Sequence, residues 1–391
     1  MPAEPVLLAG RAPPARGDDA RDYDADIVII SHFRVAETMA AISSAQAQAG
    51  GAFWVIVLDQ GSDQAMRDQV SALVARLARV AFYGIAENLG VPGGRNLACG
   101  LGRGRVMVAL DNDAVFAGRW VVAQAVRRIE AAPRLGVIGF RILAADGGTL
   151  DATSWGYPRT MIGRAAERFD ATTFVGCGYA MRRRCFEQVG GFDARLFFTW
   201  EEYEFARHAI AAGWEIAYHG DLAVHHAVTA QARVRWEGAR WGYYVRNRLL
   251  IAHQWHGWLG MVPLMAVYGL RGLLAGRVRA TMQAMIEAVR MARQRARLRM
   301  GAGARAYIWR NETSRRFGFA RWGLAPRWLA GWGLAGRPGG NPGAGAFDHA
   351  VGAAGDAVAM QREGDGTVAP DGEAVDFGDA GASAKMVQRT R

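Results

Sequence analysis

The chain has 391 residues, is 51% hydrophobic and carries a formal net charge of +11, enough apolar material for one large folded unit or two modest ones. Its three cysteines, Cys99, Cys177 and Cys185, are too few for a disulfide scaffold or a cysteine zinc site and suit a reducing, cytoplasmic setting. The first 23 residues lack the apolar stretch of a signal peptide and are expected to be a flexible leader.

From there the chain alternates. Apolar runs at 24–30, 52–59, 80–87 and 105–111 predict strands, and the Ala-rich or amphipathic runs 36–49 and 64–78 predict helices. A further helix start is expected at 93–102, opened by Gly93 and Gly94. Strands alternating with helices imply an α/β protein with an open, doubly wound, mainly parallel sheet. Segment 172–193 reads as strand, turn and short helix; 197–227 reads as an acidic-aromatic helix and then a strand ending in paired histidines. Beyond Trp236 the pattern is helical and rich in Arg and Trp: thirteen Arg lie between Arg271 and Arg321 against the two acids Glu287 and Glu312. Leu249 to Leu270 is interrupted by His253, Gln254 and His256, so an interfacial helix is expected there rather than a membrane crossing. The expected organisation is a leader (1–23), an α/β domain (24–235), a basic helical extension (236–333) and a disordered tail (334–391).

Ligands of such sheets bind beyond the carboxyl ends of the strands. Those ends carry Ser31-His32-Phe33-Arg34, then Asp59 with Gly61-Ser62-Asp63, then Glu87-Asn88 with Gly93-Gly94-Arg95-Asn96, then Asp111-Asn112-Asp113. Asp-Asn-Asp offers hard oxygens suited to Mg²⁺ or Mn²⁺ and to the phosphates such ions bind. By itself it is also an ordinary polar turn. Gly-Gly-Arg-Asn at a helix entry favours phosphate approach, although it is neither G-x-x-x-x-G-K-[ST] nor G-x-G-x-x-G. His225 and His226 close a late strand, His225 being the first choice for a metal and His226 the second. Glu201, Glu202 and Glu204 lie among Phe197, Phe198, Trp200, Tyr203 and Phe205, surroundings that raise a carboxyl's pKa and suit a general base.

Taken together, "IVIISHFR" (27–34), "VIVLDQGSD" (55–63), "ENLGVPGGRN" (87–96), "LDND" (110–113), "VGCGYAMRR" (175–183), "GGFD" (190–193), "FFTWEEYEF" (197–205) and "VHH" (224–226) resemble the family 2 glycosyltransferases of GT-A fold, in order and spacing, over residues 24–250. The C-terminal part is loosely similar to rhamnosyltransferase-like and other polymer-building bacterial relatives. The resemblance implies a nucleotide-diphosphate sugar donor, a glycan or lipid-linked acceptor, a divalent cation (Mn²⁺ or Mg²⁺), and inversion at the sugar during bacterial surface polysaccharide synthesis. It assigns nucleotide-sugar binding to His32, Phe33, Arg34, Asp59, Asn88, Arg95, Asp111 and Asn112, and metal binding to Asp113, Asp111 and His225. It assigns base catalysis to Glu202, with Glu201 beside it. Two departures stand out. Ser31-His32-Phe33-Arg34 replaces the usual Thr-Tyr-Asn-Arg, so His32 or Phe33 has to stack on the base. A Glu stands where the family has Asp. An anionic membrane surface is a candidate partner of the basic helices, with the enzyme peripheral on the inner face of the cytoplasmic membrane; no nucleic-acid module is recognised. A sugar nucleotidyltransferase is the first rival, but "SHFRVAET" lacks its glycine-rich loop. A non-catalytic protein on the same fold is the second, and the intact set of acids argues against it.

Overall fold

The computed structural model describes residues 4–14, 23–227 and 239–311. The expected tail at 334–391 lies outside them, as do residues 312–333 of the helical extension.

Among the described residues ten strands form one mixed sheet. Its centre holds β2 (Ala25–Ser31), β3 (Phe53–Gln60), β4 (Val80–Ile85) and β5 (Val106–Asp111), all mutually parallel, in the order β4-β3-β2-β5. These strands are buried on both faces, which is why they read as unbroken apolar runs. Ile27, Ile29, Val55 and Val57 point into one hydrophobic cluster, and Val28, Ile56 and Leu58 into the other, as period-two alternation requires. Helices α1 (Val35–Gln46), α2 (Gln64–Val74) and α4 (Val121–Ala131) cover the first face. On the second lie α3 (Gly90–Gly100), α5 (Arg183–Val189) and α6 (Glu201–Ala211).

Beyond β5 the sheet becomes mixed. β9 (Gly178–Arg182) runs antiparallel between β5 and β7 (Leu135–Leu143). The long β10 (Glu215–His226) lies parallel to β7, and its far end pairs antiparallel with the short β6 (Ala114–Phe116). β8 (Arg168–Ala171) pairs with the start of β10.

Three features differ from the sequence expectation. Val6–Gly10, placed in a flexible leader, forms β1, antiparallel to β4. An apolar "VLLAG" can cover an exposed sheet edge, a long-range pairing that local pattern does not reveal. Second, α3 starts at Gly90, so Gly93, Gly94 and Arg95 are interior and buried instead of forming the helix entry. A Cβ on Gly94 would lie 2.5 Å from Gln60 Nε2, so its glycine serves close packing of the helix on β3, not phosphate approach. Third, Leu249–Leu270 is split. α7 (Ala239–His256) and α8 (Trp258–Leu274) meet at Gly257, whose φ is 64°. α7 packs against both α8 and α9 (Val278–Arg293), and α10 (Ala302–Asn311) packs on α6.

Candidate functional site

The sheet register sets the site. Ser31 pairs with Asp59, Ile30 with Asp111 and Asp59 with Gly84, so the polar residues after β2, β3 and β5 emerge at one edge. The turn after β5 leads directly into β6, and β6 pairs His226 with Ala114 and His225 with Val115. This brings the end of β10 to the Asp-Asn-Asp turn; the Ala227 amide donates to the Asp113 carbonyl at 2.8 Å.

Two charged groups of residues meet at this edge. In the first, Arg95, only 3% exposed, donates to Glu202 at 2.7 Å, to Asp111 at 3.1 Å and to the Gly176 carbonyl at 2.9 Å. Glu201 Oε1 lies 3.8 Å from the same guanidinium. Expected at the base and diphosphate, Arg95 forms a buried tie between the acids of α6 and Asp111 of β5. A Cβ on Gly176 would lie 2.7 Å from Arg95 Nη2 and would also meet Glu202 Oε1, so the first glycine of "GCG" leaves the space in which that ion pair forms. Glu201 is 3% exposed, and its buried Oε2 has no hydrogen-bond partner among the described residues. Burial, and then the Glu202 charge, push its carboxyl up to about 8 against the pull of Arg95.

The second group surrounds Asp113. Arg34 pairs with its Oδ2, and His226 Nε2 lies 3.5 Å from its Oδ1. His226 Nδ1 is 3.1 Å from Asp151. Burial would raise the Asp113 carboxyl, but the hydrogen bond and charge of His226, then Arg34, outweigh it and hold it below the ordinary value. Burial would lower His226, but Asp113 and Asp151 raise it to about 10. Asp111 goes the other way: burial lifts it, Arg95 opposes, and the Asp113 charge adds to the rise.

His226, not the preferred His225, is therefore the histidine at the acids. Successive strand residues face opposite sides. A Cβ on Gly147 would lie 3.4 Å from His225 Cε1, and the buried His225 Nδ1 has no hydrogen-bond partner among the described residues.

Asp59 is fully buried; Arg67 Nε donates to it at 2.8 Å, the Ser62 amide at 3.2 Å, and the Ser62 hydroxyl as well. His32 Nδ1 is 2.7 Å from the Gln60 carbonyl, and the Phe33 amide donates to Ser62 Oγ at 2.7 Å. Phe33 and Arg34 both have φ of 59°, and the Phe33 side chain is 46% exposed. A left-handed conformation at a bulky residue is costly; here it turns an aromatic ring outward at the mouth. Asn88 accepts from the Gly90 amide at 2.8 Å, and Asn112 donates to Thr38 at 3.0 Å.

Sequence reasoning missed Arg67 and Asp151. Arg67 sits eight residues past Asp59, in the first turns of α2, and a strand-to-helix turn at "DQGSD" could have placed it. Asp151 lies in an unremarkable polar loop and carried no signal.

Asp113 with His226 fits a hard divalent cation by donor type. Among the described residues no three His, Cys, Asp or Glu side chains converge to hold an ion unaided, so the remaining ligands would come from a phosphorylated substrate.

The sequence matches the family described as Glycosyl transferase family 2 over residues 26–190. No curated protein matches it. Among solved structures it is similar to GalNAc-T7 with UDP, GalNAc and Mn²⁺ (16% identity, TM-score 0.48, covering 61% of this chain and 49% of that one). It is also similar to a mannosyltransferase from Pyrobaculum calidifontis in complex with GDP-Man and Mn²⁺ (15% identity, TM-score 0.45, covering 78% of this chain and 84% of that one). A third is TarS of S. aureus (15% identity, TM-score 0.45, covering 62% and 41%). The chain thus spans about half the length of the first of these, at 49%.

Proposed function

We propose that this chain, whose residues 26–190 match the family described as Glycosyl transferase family 2, is a glycosyltransferase on the GT-A fold that moves a sugar from a nucleoside-diphosphate donor to an acceptor hydroxyl with inversion at C1. The observation that carries the reading is the junction of Asp111-Asn112-Asp113, His226 and the Arg95–Glu202 pair at the carboxyl ends of the strands. The donor's diphosphate lies along Arg34 and Asp113, and its base stacks on the exposed Phe33 ring above buried Asp59. Asp113, with His226 once deprotonated, would hold a Mg²⁺ or Mn²⁺ ion. Bound there, the ion would offset negative charge on the departing diphosphate.

Glu202 is the base. Arg95 fixes its orientation through the 2.7 Å contact. As the acceptor oxygen forms its bond to C1, the bond from C1 to the diphosphate oxygen breaks and the electron pair leaves with the nucleotide. Glu202 takes the hydroxyl proton. Arg34, with its side chain 41% exposed, is the accessible cation beside that leaving group. The acceptor is a glycan or a lipid-linked glycan of bacterial surface polysaccharide synthesis.

Glu202→Gln keeps shape and loses basicity. It is expected to lower the release of free nucleoside diphosphate in the presence of acceptor by ~10²–10⁴, while donor binding by calorimetry with Mn²⁺ stays intact. Wild-type turnover in that variant overturns the assignment. A thermal-shift screen of nucleotide sugars identifies the donor, since a ligand of the folded state alone raises its stability.

A further inference from the structure

We propose that α8 and α9 form a docking face for an anionic lipid bilayer, on which the protein lies without crossing. On α8, Leu259, Val262, Ala266, Leu270 and Leu273 recur every three or four residues and are all exposed, so they share one face of the helix. Leu259 is 85% exposed and Leu274 79%. No charged residue occurs from Trp258 to Leu270. The opposite side, through Gly260, Met261, Tyr268 and Gly272, is buried. On α9 an exposed row, Val278, Met282 and Ile286, continues at the same spacing into Arg290 and Arg293. An apolar row ending in long cationic side chains suits the boundary between acyl chains and headgroups. Trp258, at the start of α8, is also exposed, as aromatic residues at such a boundary are.

Charge decides which occupant covers this face. From Arg271 to Asn311 there are ten Arg and one acid, Glu287, and Glu287 is engaged by Arg246 at 2.6 Å. A second copy docking through the same face would bring two arginine-rich rims together and be repelled. Anionic headgroups are attracted by the same rim. Among the described residues no helix is long and apolar enough to cross a membrane, so the contact is interfacial. This face is independent of the reading of the catalytic crevice.

The test is flotation of the full chain with vesicles of phosphatidylcholine alone or mixed with phosphatidylglycerol. Binding to the mixed vesicles only, weakened by added salt, is expected. Replacing the exposed leucines (Leu259→Glu, Leu270→Glu and Leu273→Glu together) is expected to weaken binding roughly tenfold or more, with unchanged thermal unfolding. A second variant, Arg279→Glu with Arg290→Glu and Arg293→Glu, is expected to lose the preference for phosphatidylglycerol. Failure of the full chain to float with the mixed vesicles, or flotation that both variants leave unchanged, overturns the proposal. So does a dimer in sedimentation that the leucine variant disperses, because a second copy would then cover the face.

Discussion

Glu201 and Glu202 are chain neighbours with opposite surroundings. Glu202 is held by Arg95 at 2.7 Å, whereas one oxygen of Glu201 is buried without a hydrogen-bond partner among the described residues. The folded state therefore favours protonated Glu201. Its folded pKa, about 8, lies above the ordinary 4.5. For an acid raised in this way the stabilising contribution is fully present below the unfolded value and is lost as pH rises through the folded one. The melting temperature of the wild type should fall relative to Glu201→Gln between about pH 4.5 and about pH 8. A difference that stays flat across that window would show that Glu201 is ionised throughout. The residue scale is also where the sequence was most and least legible. Asp111, Asp113, Arg95 and Glu202 were singled out from motif position; the structure places Arg95, Asp111 and Glu202 in one ion-paired group and Asp113 in the group beside it. Motif position could not show that Arg95 faces inward, which depends on how α3 packs beside α6 and β5, nor which of two adjacent histidines meets Asp113, which depends on the register of β10 against β6.

The decisive element is the loop that leads into α6. Phe197, Thr199 and Trp200 have φ of 60°, 65° and 73°, values disfavoured for residues with a Cβ. α7 holds them there. Asn247, fully buried, donates to the Leu196 and Phe198 carbonyls at 2.9 Å and to that of Thr199 at 3.0 Å. Arg246 donates to the Arg195 and Leu196 carbonyls at 3.0 and 2.9 Å. The loop ends at Glu201 and Glu202, so α7 sets where Glu202, the proposed base, points. Asn247→Leu keeps the volume and removes the donor, at roughly 1–3 kcal/mol for each stranded carbonyl. It is expected to lower kcat by about tenfold or more through misplacement of the carboxylate, with the donor KM little changed. An unchanged kcat would reduce Asn247 to a packing residue. Period-two and helical patterns located β2 to β5, α1 and α2 to within a few residues, because those elements bury their own faces. β1 and the true start of α3 escaped, since one depends on a distant edge and the other on glycines packed against Gln60.

At the scale of the molecule, the boundary expected at 235/236 does not divide two self-sufficient parts. Trp200 Nε1 donates to the Tyr244 carbonyl at 3.2 Å and Gln254 meets His208 at 2.6 Å. Arg295 pairs with Asp193 and reaches Glu204 at 3.2 Å, while the Tyr307 hydroxyl donates to the Ile216 carbonyl at 2.8 Å. A chain ending at residue 235 would strand these groups and uncover the apolar residues of α6. It is expected to aggregate and to lose transfer; a soluble fragment with wild-type turnover would show that the helices are dispensable. The sequence by itself determined the α/β alternation, the carboxylates at the strand ends and the basic character of the helices, because these follow from local period and composition. Tertiary structure alone decided that His226 faces Asp113, that Arg95 ties β5 to α6, and that a helix well beyond the matched family region clamps the loop before Glu202. Each of these is a contact between distant segments, fixed by sheet register and helix packing, and none is written in any local stretch of residues.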